Sequence, residues 1–105
     1  EVFHIKHDTG GLIDIEFMVQ YLMLAHSCDH SELTQWSDNI RQLEELGRAG
    51  VITVDDAEKL REVYITLRST IHRRALQNLN SQVEGDAFPD ERAYIRGMWE
   101  TVMLG

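Results

Sequence analysis

The chain has 105 residues, enough for one domain with a hydrophobic core but not for a catalytic domain together with a substrate domain. Its hydrophobic fraction of 43% and charged fraction of 27% are typical of a globular protein. The net charge of −8 argues against a nucleic-acid or anionic-membrane partner, because both favour clustered cations.

Cysteine usage and the length of the apolar segments indicate a cytoplasmic protein. Cys28 is the only cysteine, so no intramolecular disulfide can form. No signal peptide is recognised, and the longest apolar stretch, residues 17–25, is too short to span a bilayer. Because the sequence starts without methionine inside a strand-like pattern, we expect it to be a piece of a longer protein.

Residues 2–6 alternate between apolar and polar side chains, a period of two that predicts a short β-strand. A lone strand leaves its backbone groups unpaired, so we interpret it as an orphan strand whose sheet lies in an upstream domain. Residues 7–11 end in Gly10 and Gly11, which can adopt positive φ, and predict a turn. The predicted division is a remnant strand and turn over residues 1–11 and a helical domain over residues 12–105.

A first helix is predicted over residues 12–26. It is apolar nearly all round, which is typical of a central helix buried on every side. Its apolar residues are Leu12, Ile13, Ile15, Phe17, Met18, Val19, Leu22, Met23 and Leu24.

A second helix is predicted over residues 34–49, with Gly50 at its C-cap. A third follows over residues 54–79, opened by a cap at Thr53 and by acids in its first turn. The second carries an apolar stripe at Trp36, Ile40, Leu43 and Leu46, and the third a seam at Ala57, Leu60, Tyr64, Leu67, Ile71, Ala75 and Asn78.

Residues 80–87 form a predicted polar loop, and Pro89 opens a fourth helix at a position that proline favours. Four helices with short connections predict an all-α fold, an up-and-down antiparallel four-helix bundle preceded by the orphan strand and its Gly-Gly turn. The apolar face of the fourth helix is predicted at Ile95, Met98, Trp99, Val102 and Met103.

The residues around the predicted turn are the first candidate for chemistry. Gly10 and Gly11 precede a helix N-terminus, where an anion can approach free backbone N–H groups, and Lys6 adds a positive charge. In this functional interpretation, Asp14 orients Lys6 or another residue that contacts a nucleotide. The alternative is a plain strand-to-helix turn, in which Asp14 is a partner for the first helical turn or a nearby basic group. The residue order is not that of a P-loop.

Basic residues concentrate late in the third predicted helix, at Arg68, His72, Arg73 and Arg74. Cations at the end of a helix suit its dipole, which is one interpretation. Arg68 and His72 are also four residues apart and share a face, which can meet a nucleotide phosphate or an acidic partner surface. The sequence leaves both interpretations open.

Few other candidates are present. His26, Cys28, Asp29 and His30 are metal-ligand types, but a second ligand pair at zinc spacing is absent from the sequence, so we predict a polar loop and no metal site. No nucleophile elbow, Gly-x-Gly-x-x-Gly motif or Ser/His/Asp set can be identified. The residues by themselves therefore predict a fold and not an activity.

Several separated motifs agree in order and spacing over essentially the whole chain. Residues 3–20 read FHIKHDTGGLIDIEFMVQ and residues 33–41 read LTQWSDNIR. Leu67-Arg68, HRRALQ at 72–77, Glu91-Arg92 and Trp99 follow. Together they closely resemble the bacterial glutamine-synthetase adenylyltransferase/adenylyl-removing enzymes. The related PII uridylyltransferases share a similar Lys-x-x-x-Gly-Gly-Leu-x-Asp turn but match the rest less well.

The resemblance implies a protein with two nucleotidyltransferase halves, each a polymerase-β-like catalytic domain followed by a helical bundle. One half transfers AMP from ATP, with Mg²⁺, to a tyrosine of glutamine synthetase, and the other removes it by phosphorolysis. The turn, the Trp-Ser-Asp-Asn stretch and the end soon after Trp99 resemble the C-terminal, adenylylating half. The implied partners are glutamine synthetase, the PII signal protein and the upstream nucleotidyltransferase domain.

The catalytic signature of that family, a Gly-Ser followed by Asp-x-Asp, is absent from this sequence. We therefore expect the catalytic carboxylates to lie upstream of Glu1, and we expect neither ATP nor Mg²⁺ to bind tightly to this chain alone. The resemblance places Lys6, Gly10, Gly11 and Asp14 at the border of the nucleotide cleft, and Arg68, His72 and Arg73 in a basic lining.

Two other functions stay open at this point. The chain can be an interaction module that only docks glutamine synthetase, PII or the other half of the enzyme. It can also be a fragment of a PII uridylyltransferase, although Trp36-Ser-Asp-Asn39 and His72-Arg73 argue against this.

Overall fold

A computed structural model of the chain describes residues 1–26 and 39–104. The predicted four helices are confirmed, although Trp36 and the rest of the predicted start of the second helix lie outside the described residues. None of the described helices is long and apolar enough to cross a membrane. The elements are β1 (Val2–His4), α1 (Leu12–His26), α2 (Asn39–Arg48), α3 (Val54–Leu76), β2 (Gln82–Glu84), α4 (Pro89–Trp99) and a π-helical segment, Glu100–Leu104.

Helix α1 is the centre of the fold, because it contacts α2, α3, α4 and the π-helical segment. Each neighbour contributes large apolar side chains to one core, and removing these side chains from water is the main force that holds the helices together. The predicted up-and-down order of the helices stays a prediction. The largest fully buried side chains are Phe3, Ile5, Ile15, Met18, Val19, Leu43, Leu46, Leu60, Leu67 and Ile95.

The prediction that α1 is buried on every side is wrong. Phe17, Tyr21 and Leu24 are 60%, 47% and 70% exposed, and they follow one another along a single side of the helix. The described neighbours of α1 pack against its other sides, where Ile15, Met18, Val19 and Leu22 are buried.

The prediction of an orphan strand is also wrong. β1 pairs with β2 in an antiparallel two-stranded sheet, with Val2 opposite Glu84 and Phe3 opposite Val83. β2 lies in the segment that the sequence predicted as a polar loop. Phe3 and Ile5 are completely buried in the same core as the helices. The domain boundary at residue 11 stays a prediction.

The outer edges of this sheet are partly closed by nearby groups. On β1, the backbone N–H of His4 donates to Asp8 Oδ2 over 2.9 Å, and its carbonyl accepts from the Asp8 amide over 3.0 Å. On β2, the Gln82 amide donates to Asn80 Oδ1 over 3.0 Å. Backbone groups occupied in this way cannot pair with a further strand.

Capping residues set the ends of α2 and α3. Thr53 Oγ1 accepts a hydrogen bond from the Asp56 amide, and Gly50, with φ of 79°, follows the end of α2 as predicted. Helix α3 ends at Leu76 rather than at residue 79, because Asn78 adopts a φ of 60°. The Leu79 amide then donates to the Arg74 carbonyl, which completes a Schellman motif and places Asn78 outside the predicted seam.

Arg92 joins α4, which begins at Pro89 as predicted, to the two-stranded sheet. Its guanidinium lies 3.9 Å from the centre of the Phe3 ring, and its Nη1 donates to the Gly85 carbonyl over 2.7 Å. The backbone of Arg92 also passes close to Gly10, where an added Cβ would lie 3.1 Å from the Arg92 carbonyl oxygen. These contacts fix the position of β1 relative to the helices.

Gly11 is expected to tolerate no side chain. A Cβ at this position would lie 2.4 Å from the Ile5 carbonyl oxygen and 2.8 Å from that of Asp8. Because both are backbone atoms, Gly11→Ala should lower the free energy of unfolding by about 3 kcal/mol or more and Tm by roughly 10 °C or more. Thermal unfolding followed by circular dichroism measures this change.

The matched control is Gly97→Ala in α4, where an added Cβ would meet nothing within 4 Å. That substitution should raise the stability by roughly 0.5–1 kcal/mol, since alanine is the better helix former. Equal effects of the two substitutions would contradict the close approach at Gly11.

Candidate functional site

Three of the predicted site residues meet at one pocket between the first turn of α1, the start of α2 and the second half of α3. The pocket has a volume of about 380 Å³, within the range of small-molecule sites. Its lining is Lys6, Leu12, Glu16, Asn39, Tyr64, Arg68, Ile71 and His72.

The turn before α1 sets the position of Lys6. The Lys6 carbonyl accepts a hydrogen bond from the Ile13 amide over 3.0 Å, and the Ile5 carbonyl accepts one from Leu12 over 2.8 Å. Lys6 is therefore attached by its own backbone to the first turn of α1, while its side chain is exposed at the pocket.

Gly10, Gly11 and Asp14 do not line the pocket; they hold the turn together. The Gly10 amide donates to Asp14 Oδ2 over 2.8 Å, and the Gly11 amide donates to the Asp8 carbonyl over 2.8 Å. With Leu12 and Ile13 also bonded, four consecutive amides ahead of and at the start of α1 have partners within the chain. The free N–H groups on which an anion site at this turn depended are therefore occupied at residues 10–13.

The other predicted residues of the pocket, Arg68 and His72, come from one face of α3. Tyr64, Arg68 and His72 are spaced four residues apart, so their side chains stand above one another along the helix. Arg73 is one residue further and is rotated by about 100° away from that face. Its Nη2 donates to Thr70 Oγ1 over 3.3 Å on the exposed surface, so Arg73 does not join the other predicted residues at the pocket.

A chain of hydrogen bonds joins three elements inside the pocket. The Tyr64 hydroxyl donates to Glu16 Oε2 over 3.2 Å and accepts from Asn39 Nδ2 over 3.3 Å. The Arg68 guanidinium lies 6.0 Å from the centre of the Tyr64 ring. The sequence assigned no role in a site to Glu16, Asn39 or Tyr64. The four-residue spacing of Tyr64 from Arg68 is the one sequence signal that could have placed Tyr64 at this pocket.

Two tyrosine pKa values report on the packing around α3. Burial raises the pKa of Tyr64 above 10.0; the Asn39 bond opposes this and the Glu16 carboxylate adds to it. Burial also raises the pKa of Tyr94 well above its ordinary range, reinforced by a 2.6 Å hydrogen bond to Asp56 Oδ1. Both phenols are therefore held in the neutral form.

The chemistry of the pocket suits an anion with several oxygens. Lys6 supplies an ammonium group and Arg68 a guanidinium group, His72 supplies a further N–H donor, and Glu16 is the one carboxylate in the lining. A single carboxylate that already accepts a hydrogen bond is a poor site for Mg²⁺, which prefers several oxygen ligands. Across residues 1–26 and 39–104, no three His, Cys, Asp or Glu side chains are placed to hold a metal ion. Cys28, Asp29 and His30 lie outside that part of the chain.

Comparison with known proteins now gives the class of the chain. Residues 2–93 match the profile of a protein family described as GlnD PII-uridylyltransferase, and the chain belongs to that family. Curated relatives are 42–50% identical to nearly the whole chain. These relatives are named bifunctional glutamine synthetase adenylyltransferase/adenylyl-removing enzymes, which confirms the resemblance found in the sequence.

Three of these relatives show the extent of the match. The enzyme of Hahella chejuensis is 48% identical over 95% of this chain and 10% of its own length. That of Pseudomonas putida is 50% identical over 92% of this chain and 10% of its own length. That of Mannheimia haemolytica is 42% identical over 98% of this chain and 11% of its own length. The chain thus spans about a tenth of the length of the curated relatives it matches.

Stability should fall as the pH rises above about 10. The folded pKa values of Tyr64 and Tyr94 exceed that of an unfolded tyrosine, so the folded chain holds these protons to higher pH. The contribution of these two tyrosines to the free energy of unfolding is complete below the pKa of an unfolded tyrosine. It is lost as the pH rises through their folded pKa values. Urea unfolding between pH 8 and pH 11.5 measures the loss.

The double variant Tyr64→Phe and Tyr94→Phe is the control, because it removes both phenols and keeps the rings. Its free energy of unfolding should depend less steeply on pH above 10 than that of the unaltered chain. An identical dependence in the two proteins would show that these tyrosines do not cause the loss.

Proposed function

We propose that this chain is the helical domain of the adenylylating half of an enzyme that transfers AMP from ATP to a tyrosine of glutamine synthetase. In this proposal another half of the enzyme removes the AMP, the enzyme works in the cytoplasm, and PII regulates it. The catalytic carboxylates belong to a nucleotidyltransferase domain upstream. Support comes from the names of the relatives, since those at 42–50% identity are adenylyltransferases of glutamine synthetase.

In this proposal the 380 Å³ pocket contributes the cationic wall of the nucleotide cleft. The observation that carries it is the convergence of Lys6, from the turn before α1, with Arg68 and His72 from α3. Phosphate oxygens carry negative charge and accept hydrogen bonds from all three side chains. Gly10, Gly11 and Asp14 contribute indirectly, by holding the turn that positions Lys6.

The bound group would be ATP, with Mg²⁺ held by carboxylates outside this chain. When bound, the metal ion neutralises charge that develops on the transferred phosphate. The residues of this chain would orient the phosphates, because a lysine and an arginine on separate elements constrain an oligophosphate from two directions. Arg73, which the sequence placed in the same basic lining, lies at a different surface and is not assigned to the pocket.

A uridylyltransferase is the second candidate, because the matching family profile carries that description. The two activities differ in the nucleotide consumed and in the protein modified. An assay with the full-length enzyme, offering labelled ATP or UTP together with glutamine synthetase or PII, separates them. AMP transfer to glutamine synthetase supports the proposal, whereas UMP transfer to PII overturns it.

Lys6→Ala in the full-length enzyme should reduce kcat/KM for ATP in adenylylation by roughly ten- to a hundredfold. This is the loss expected when one charge-assisted hydrogen bond to a phosphate is removed. Steady-state rates at varied ATP and at varied glutamine synthetase measure it.

The matched control is Lys59→Ala, which removes the only other lysine of the chain. The Lys59 ammonium lies over the Tyr94 ring at 5.2 Å, outside the pocket, so its removal should leave KM for ATP within about twofold. If Lys6→Ala changes only KM for glutamine synthetase, the chain is a docking module and the pocket has no role in nucleotide binding.

A further inference from the structure

One side of α1 presents large apolar side chains to solvent. Phe17 and Tyr21 are one turn apart and 60% and 47% exposed, and Leu24, one turn further, is 70% exposed. We call these three residues the α1 strip. Tyr21 also lines a neighbouring groove of about 710 Å³, whose walls include Val51, Ile52, Met98 and Val102. Tyr21 is therefore the residue at which the strip meets the groove.

The composition of α1 around this strip is that of an interface and not of an ordinary solvent-facing helix. Residues 17–25 contain no Asp, Glu, Lys or Arg, in a chain of which 27% is charged. Loss of charge and exposure of aromatic side chains mark the centres of protein interfaces, where such side chains contribute most of the binding energy. A solvent-facing helix would normally carry charged residues on that side.

We infer that the α1 strip is covered by an apolar surface of another domain of the same, longer polypeptide. This inference rests on the proposed function, in which the chain is one domain of a larger enzyme. The curated relatives are about ten times as long as this chain, so most of such a polypeptide lies outside residues 1–105.

The size of the strip favours a tethered domain over a second copy of the chain. Three side chains with these exposures offer on the order of 300 Å². A stable dimer buries about 800 Å² on each partner, whereas interfaces between domains of one chain begin at about 600 Å² in total. Tethering gives an effective concentration in the millimolar range, so a small apolar contact suffices. Two copies each carrying a charge of −8 would also repel one another.

Hydroxyl-radical footprinting tests this inference without an activity assay. The oxidation rates of Phe17 and Tyr21 are measured by mass spectrometry in the 105-residue chain and in the full-length enzyme. We expect both rates to fall at least fivefold in the full-length enzyme. The rate of Leu76, which is 86% exposed on α3, should stay within twofold and serves as the matched internal control.

A variant links the protection to the strip. Phe17→Asp in the full-length enzyme should restore the oxidation of Tyr21 toward its rate in the short chain, while changing the Tm of the short chain by no more than a few degrees. Equal rates for Phe17 and Tyr21 in the two proteins would overturn the inference. Protection that appears in the short chain and grows with its concentration would also overturn it, because a second copy would then cover the strip.

The two proposals fail separately. An enzyme that transfers no AMP to glutamine synthetase but protects Phe17 and Tyr21 leaves the covered strip standing and removes the proposed activity. An enzyme that transfers AMP to glutamine synthetase but does not protect Phe17 and Tyr21 leaves the proposed activity standing and removes the covered strip.

Discussion

The contact between Gly11 and the carbonyl oxygen of Ile5 is the constraint on which the rest of this structure depends. It brings the end of β1 against the start of α1 so closely that the chain has no room there for a side chain. The Ile5 carbonyl then accepts from Leu12, and the Lys6 carbonyl accepts from Ile13. A strand and a helix joined in this way cannot move independently, and the backbone of Lys6 is held together with them.

The helices were predictable from sequence because their signals are local. Apolar periodicity located α2, α3 and α4, and a nearly continuous apolar segment located α1. Thr53, Gly50 and Pro89 marked three of the boundaries. The pairing of β1 with β2 was not predictable, since the three residues of β2 lie in a polar stretch and their partner is distant in the chain. The exposed side of α1 was missed for another reason. A helix that is apolar on every side shows no periodicity from which its solvent-facing side can be identified.

In the candidate site, too, some residues were predictable from local spacing and others were not. Spacing along α3 placed Arg68 and His72 on one face, and they do meet at the pocket. The same spacing rule rotates Arg73 away from them, and Arg73, which the resemblance placed in the same basic lining, is not among the residues that line this pocket. Asn39 and Glu16 reach the pocket from other elements, and a hydrogen bond between side chains on different helices has no signature in one sequence. Arg92 was not predictable either. It is a charged residue whose guanidinium stacks on the Phe3 ring, and neither residue's sequence context indicates that contact.

The antiparallel sheet joins positions 3 and 83, which are far apart in the sequence. Closing so long a segment has an entropic cost, and pairings of this kind form after the local helical contacts. The sheet is therefore expected to be a cooperative unit that opens as a whole when Ile5 separates from Ser81. Slow hydrogen exchange at the Ile5 amide would then report the lifetime of the paired sheet. The bonds from the Leu12 and Ile13 amides to the Ile5 and Lys6 carbonyls would keep the terminus attached to α1 after β2 has separated.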